Sequence, residues 1–299
     1  MRIAKNLGRN ESKIMKYLLY AHSGSCNHGC EAIVRTFLKS CQKANTPVRL
    51  LSYNPEQDTK YCIEKLVEEF SGYYIYGKFS PWRFYTNYMV KVKHRPDERY
   101  RVFLKDVKAE LSKGDIAFSI GGDNYCYTSF PETLASYNRI FHEMGLKTVL
   151  FGCSIEPELL KNPSVVDDLN LYNLITARET ITYSALIDAG LKNVQLCPDT
   201  AFILSKSDVK FDFVPSKDGV VGINLSPRVG LSGPNHDLVF EAYKGLIRYV
   251  LEKTEMDVAL IPHVVAESSD DRKVLTMLAE SFPNEKRIHL IPDGTCEEI

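Results

Sequence analysis

Gly121-Gly122-Asp123-Asn124 directly follows the apolar run Ile116–Ile120, which puts two residues without side chains and one carboxylate at the mouth of a buried strand. Open α/β sheets take their ligands there, outside the carboxyl ends of the strands. Asp123, with Asn124 and Tyr125, suits the orientation of hydroxyl groups or acceptance of a proton from one, with a helix N-cap as the structural alternative. A second link, Ser23-Gly24-Ser25-Cys26-Asn27-His28-Gly29, leads from a strand into a helix amino terminus, where glycine-rich turns present N–H groups and a positive dipole end to anions. It is neither a Walker loop nor G-x-G-x-x-G, and an ordinary turn with Asn27 as cap fits equally. Cys26, His28 and Cys30 lack the distant second pair of a structural zinc site, so no metal is expected. Arg178-Glu179 and Pro198-Asp199-Thr200 follow later strands, where the arginine either grips an anion or pairs with a neighbouring carboxylate. In the last third, Ser226-Pro227-Arg228 and His263 each follow a strand. Arg228 offers a bidentate clamp for phosphate or carboxylate, and His263 a donor or proton carrier near neutral pH.

These groups need a scaffold of parallel strands. Apolar runs at Tyr17–Ala21, Val48–Tyr53, Ile116–Ile120, Thr148–Gly152, Leu174–Ala177 and Val194–Cys197 alternate with helical periodicity, the signature of a mainly parallel sheet. The clearest helix begins just after Gly29 and sets Cys30, Ile33, Val34, Phe37, Leu38 and Cys41 on one face. Residues 206–218 lose the pattern and read as a linker between an N-terminal domain at 15–205 and a C-terminal domain at 219–299. The second domain is predicted as strand Val220–Leu225, a helix at about 237–253, strand Val258–Ile261, a helix at about 271–281 and strand Ile288–Ile291. On this pattern Ser226, Arg228 and His263 sit at carboxyl ends of parallel strands and face the cleft between the domains. Thr295 and Glu298 have capping-box spacing, so the final residues read as the start of a further helix and the second domain as incomplete. Residues 1–14 are polar and basic and read as a tag or extension.

A chain of 299 residues with 44% hydrophobic and 25% charged residues is long enough for two cores. Its net charge of −1 gives no general attraction to nucleic acid, so no nucleic-acid partner is expected. Eight cysteines lack the spacing of a secreted disulfide scaffold and no secretory signal precedes them, which fits a reducing cytoplasm. Residues 73–108 are rich in Tyr, Phe, Lys and Arg and hold the only Trp. One reading is a helical insertion with its aromatics in the core; the other is a basic, aromatic surface touching a lipid-linked acceptor at the inner face of a membrane. Asp97, Glu98 and Asp106 interrupt the charge and favour the first.

Taken in order, Asn27-His28-Gly29-Cys30-Glu31-Ala32-Ile33, Gly121-Gly122-Asp123 and Pro198-Asp199-Thr200-Ala201-Phe202 resemble the signatures of the polysaccharide pyruvyl transferase family. The resemblance implies an α/β fold of two Rossmann-like domains in a GT-B-like arrangement. It also implies phosphoenolpyruvate as donor, a saccharide or lipid-linked oligosaccharide as acceptor, a pyruvate ketal as product and no further cofactor. On that footing Arg228, Ser226 and His263 are expected at the donor, and Asn27, Glu31, Gly121, Gly122, Asp123 and Asn124 at the acceptor, with His263 and Asp123 in the chemistry. The family pattern further implies an Arg-x-His motif, expected past Ile299. Two rivals share the architecture: a nucleotide-sugar glycosyltransferase and a non-catalytic glycan-binding protein. Oligomeric state is not encoded in any of these features.

Overall fold

The computed structural model describes residues 15–126, 131–205, 207 and 212–299. The expected tag or extension at 1–14 and part of the expected linker lie outside the described residues. The chain forms two compact units, one from residues up to His22, 37–53 and 64–199, the other from 23–36, 54–63 and 200–299.

The first unit is built on β1 (Tyr17–His22), β2 (Val48–Ser52), β3 (Glu69–Gly72), β4 (Ile116–Ile120), β5 (Lys147–Cys153), β6 (Leu174–Ala177) and β7 (Val194–Leu196). All pair parallel, in the order β3-β2-β1-β4-β5-β6-β7. Strands of such a sheet are covered on both faces, which is why they read as continuous apolar runs; Leu18, Leu19 and Tyr20 of β1 are wholly buried. The order reverses between β1 and β4, whose residues run in step from Tyr17 opposite Ile116 to Tyr20 opposite Ser119. The turn after β4 therefore stands at a topological switch point, the usual ligand position in this architecture. Tyr20 packs edge-on against Phe141 at 5.0 Å, and Phe37 against Phe118 at 4.8 Å, in the layers that cover the sheet. β3 was not predicted: Glu-Phe-Ser-Gly is neither an apolar run nor an alternation, and it sits half-buried at the edge with β2 alone as neighbour.

The helices Pro81–Lys91, Asp97–Phe103 and Lys105–Lys108 make up the insertion. Its aromatics divide. Tyr76 and Phe103 pack together at 5.6 Å and Tyr100 meets Tyr137 at 5.5 Å, whereas Trp82, Phe84, Tyr85 and Tyr88 stay exposed. The expectation that these aromatics belong to the core holds only for the first group, because the helix Pro81–Lys91 buries Thr86 rather than its rings.

The second unit carries a parallel sheet of β8 (Val220–Ile223), β9 (Asp257–Leu260) and β10 (Ile288–Leu290), ordered β10-β9-β8. The helices His236–Lys253 and Asp271–Glu280 bury Ile247, Val250, Val274, Leu275 and Leu278 against it. Residues 26–28 run antiparallel to 263–265: Asn27 bridges Val264, His28 N donates to the His263 carbonyl at 3.0 Å, and Val265 N to the Cys26 carbonyl at 2.8 Å. Glu298 reaches back to the Thr295 N–H at 2.8 Å as the capping-box spacing predicts, but residues 296–298 form a turn rather than a helix. No helix among the described residues is long and apolar enough to cross a membrane.

Candidate active site

In the second unit the turn 23–29 starts the helix His28–Ala44 beside the loop after β9. Asn27 caps that helix, its Oδ1 accepting from Gly29 N at 3.0 Å and Cys30 N at 3.4 Å. With His28 N given to His263, the first amides are already used, so an anion here would meet the dipole and side chains rather than free N–H groups.

Glu31 and His28 lie beneath, 0% and 2% exposed. Glu31 Oε2 stands 2.9 Å from His28 Nδ1 and accepts the Cys296 N–H at 3.0 Å, while Oε1 takes Arg35 Nε at 2.7 Å. A carboxylate this deep is tolerable only with such partners. On the other side of the ring, His28 Nε2 is 3.3 Å from Asp293 Oδ1 without hydrogen-bond alignment. Asp293 is held by Lys60 Nζ at 2.5 Å and the Tyr61 hydroxyl at 3.0 Å. Burial would raise the Asp293 carboxyl, but these donors and the Lys60 charge outweigh it and hold it below the usual carboxylate range. Burial and the Asp293 pairing push the Tyr61 hydroxyl far up, so it remains a donor.

His263 follows β9 by three residues, as the sequence predicts. Its loop is fixed by Asp271, 1% exposed, whose Oδ2 accepts from His263 N at 3.0 Å, Val264 N at 2.9 Å and Asn224 Nδ2 at 2.9 Å. One carboxylate at the start of the helix Asp271–Glu280 thus ties together the ends of β8 and β9. The sequence reading missed Asp271 and gave Asn224 no role; for Asp271 the local signal was a second acidic residue, beyond the N-cap Asp270, at a helix start. The His263 ring rests on the backbone of residue 29, where a Cβ would come within 3.0 Å of Nε2, and is open to solvent elsewhere. Partial burial lowers its pKa from the ordinary imidazole value; the Asp271 charge opposes this and His28 adds to it. Near neutral pH the ring is therefore mostly a neutral proton acceptor and hydrogen-bond partner. A pocket of about 460 Å³ is lined by His28, Gly29, Gly222, Asn224, His263 and Cys296 among others, with no Lys or Arg in the lining.

Ser226 and Arg228 follow β8 outside that lining. Ser226 Oγ accepts from Arg228 N at 3.3 Å and so caps the short helix Pro227–Gly230, leaving the Arg228 side chain exposed. Contrary to the expectation that this chain holds no Arg-x-His before Ile299, such a triplet does occur, Arg287-Ile288-His289. It lies at β10 with both groups committed: Arg287 donates to the Leu251 carbonyl at 2.6 Å and the Thr254 carbonyl at 2.9 Å, and His289 stacks on Phe213 at 3.6 Å beside Asp257.

In the first unit, the turn after β4 is organised by Arg178 at the end of β6. Its Nε donates to Ser154 Oγ at 2.7 Å, Nη1 to Asp199 Oδ2 at 3.2 Å and Nη2 to Asp123 Oδ1. The guanidinium lies across Gly122, where a Cβ would overlap Nη1 and stand 2.6 Å from Cζ. At Gly121 a Cβ would stand 2.7 Å from Asn124 Oδ1, and Asn124 Nδ2 donates to Ser119 Oγ at 2.8 Å. Asp123 stays 63% exposed despite its ion pair and can still accept from a hydroxyl. Tyr125 points inward instead, fully buried, with its hydroxyl on Asp168 at 2.6 Å. Burial and Asp123 push the Cys126 thiol up to about 11, which removes it as a nucleophile. Among the described residues no cluster of three or more His, Cys, Asp or Glu is placed to hold a metal.

The sequence model of the polysaccharide pyruvyl transferase family matches residues 27–299. No individual curated protein matches the chain. Among solved structures it is similar to a UDP-N-acetylglucosamine 2-epimerase at 13% identity, covering 95% of this chain and 71% of that one with a TM-score of 0.53. A protein from Listeria monocytogenes assigned as the same kind of epimerase gives 12% identity, 95% and 70% coverage and a TM-score of 0.52. MnaA of S. aureus with UDP gives 13%, 94% and 70%, and 0.51. At such identity the likeness is one of fold alone, α/β with two Rossmann-like parallel sheets of the GT-B-like type.

Proposed function

The chain belongs to the polysaccharide pyruvyl transferase family, and from that premise we propose that it moves a pyruvyl group from phosphoenolpyruvate onto two hydroxyls of a saccharide, forming a cyclic ketal on a cell-surface glycan. The observation that carries this reading is the seating of His263 on Gly29 in a pocket that both line together with His28, within the matched residues.

The reaction needs a proton added to the enol methylene, which leaves a cationic carbon bearing carboxylate and phosphate. A first hydroxyl attacks that carbon and gives up its proton. The C–O bond to phosphate then breaks, inorganic phosphate leaves, and a second hydroxyl closes the ring, releasing another proton. Two protons are taken up, one by the methylene and one by the departing phosphate, which leaves as hydrogen phosphate, and the two hydroxyls free two, so a base and an anion clamp are required beside the acid. We assign the base role to His263, whose depressed pKa keeps it neutral near pH 7. Arg228 provides the clamp that the pocket lining lacks, from the helix that Ser226 caps just beyond Asn224. Asp123 takes an acceptor hydroxyl, its carboxylate held by Arg178, on a turn shaped by Gly121, Gly122 and Asn124. Asn27 and Glu31 are reassigned. With its oxygens committed and no exposed surface, Glu31 orients His28 rather than touching sugar, and Asn27 serves the helix cap.

Mixing the protein with phosphoenolpyruvate and a panel of saccharides tests the reading by NMR. The expected result is a new ketal methyl signal with an equal amount of inorganic phosphate. Turnover of a nucleotide sugar instead would make it a glycosyltransferase, and saccharide binding without donor binding a glycan-binding module.

A further inference from the structure

A second cavity, of about 310 Å³, lies in the first unit between the helices Pro81–Lys91 and Asp97–Phe103 and the stretch before them. Arg83 and Arg99 line it together with Tyr76, Asn87, Phe103 and Ile75. Neither guanidinium has an ion-pair partner among the described residues, whereas the acidic groups of the segment are engaged. Asp97 pairs with Arg139 at 2.6 Å, Glu98 accepts from Tyr85 at 3.1 Å and Asp106 faces Lys105 at 3.6 Å. Two unopposed guanidinium forks on one small cavity match the oxygens of a phosphate group.

The same stretch leaves an unusual set of large apolar side chains in water, one aliphatic and the rest aromatic. Ile75 and Phe79 are each 83% exposed, Phe84 65% and Tyr88 49%, with Trp82 at 40%. Between residues 73 and 108 nine Lys and Arg face three Asp and Glu, so the segment is strongly positive although the whole chain is near neutral. Exposed aromatic rings interleaved with cations are the composition of an interfacial anchor, in which the rings enter the acyl boundary and the charges meet anionic headgroups. Each Lys or Arg near such a surface contributes roughly 1 kcal/mol.

We propose that this segment docks the protein on an anionic lipid surface, with Arg83 and Arg99 taking a headgroup phosphate in the cavity while Phe79, Trp82 and Phe84 enter the interface. The docking is independent of the transfer reaction and is read without it.

Trp82 is the only tryptophan, so its emission reports the event directly. Titration with vesicles of phosphatidylcholine mixed with phosphatidylglycerol should blue-shift that emission and carry the protein up in flotation; phosphatidylcholine alone should do neither. The double variant Arg83→Ala, Arg99→Ala should weaken vesicle binding roughly thirtyfold, the equivalent of about 1 kcal/mol for each charge removed. Phe84→Ser should weaken it as well, and Lys192→Ala with Arg248→Ala, which removes equal charge elsewhere, should change it less than about twofold. Absence of binding to the anionic vesicles, or binding unchanged in the Arg83, Arg99 double variant, would overturn the proposal. So would saturation of the cavity by inorganic phosphate without vesicle binding, or a lipid-free dimer that buries Trp82.

Discussion

His263 and Gly29 are in direct contact, the imidazole Nε2 standing 3.0 Å from the place a Cβ on residue 29 would occupy. That closeness needs a residue without a side chain at the second position of the helix His28–Ala44. Gly29→Ala should therefore move the ring by a few tenths of an ångström and lower turnover roughly fivefold, scaled from the hundredfold that a 1 Å misplacement can cost. Thermal unfolding should show no loss of stability, since alanine is the better helix former by about 1 kcal/mol.

The pH dependence of the reaction follows from the same ring. Burial lowers the pKa of His263, and the proposed base must be neutral, so kcat/KM should hold above the ordinary imidazole value of about 6.5 and fall only below it. Stability runs the same way: the unfolded chain takes up this proton first, so the contribution is complete above about 6.5 and is lost as the pH falls through the folded-state value. His263→Gln should remove this acid limb and lower kcat by roughly 100-fold or more. A limb left in place in the variant would assign the base elsewhere.

Glu31 serves structure and site together. Glu31→Ala takes the carboxylate from Arg35, which keeps the Tyr61 carbonyl at 2.6 Å, and leaves His28 without its Nδ1 partner, and breaking a buried pair costs about 3–5 kcal/mol. Urea unfolding should show a loss of that order. Glu31→Gln, which keeps the shape and one acceptor oxygen, should lose less stability while His28 still loses its carboxylate partner.

In the first unit, Gly122→Ala should displace Arg178 from Asp123, Asp199 and Ser154 at a cost of about 1–3 kcal/mol. Acceptor affinity should fall and donor affinity stay unchanged, a separation that calorimetric titration resolves.

The strands of both sheets were legible because a buried parallel strand is written as an unbroken apolar run, as in Leu18-Leu19-Tyr20 and Val258-Ala259-Leu260. β3 was not, since an edge strand with one neighbour needs no such run. The turn after β4 and His263 after β9 were legible from glycine, carboxylate and imidazole placed just past strands. The partners of Glu31 were not: the Cys296 N–H that it accepts is 265 residues away, and no local period encodes that contact. Asp271 was hidden for a similar reason, because in sequence it differs little from a capping residue and only the fold brings the ends of β8 and β9 to it. The Arg287-Ile288-His289 triplet shows the converse, a motif-like spelling whose groups are spent on carbonyls and an aromatic stack.

The clamp is tested by Arg228→Ala, whose exposed side chain makes no ion pair among the described residues and whose loss should leave the fold intact. Phosphoenolpyruvate affinity should drop by roughly 10- to 100-fold, in line with about 1.5–3 kcal/mol for a charged hydrogen bond.

The most direct measurement is an NMR titration of the His263 ring resonances, assigned through the His263→Gln spectrum. Phosphoenolpyruvate should shift them saturably, with UDP and UDP-sugars failing to compete. A ring that ignores phosphoenolpyruvate but responds to a nucleotide sugar would contradict pyruvyl transfer at this pocket.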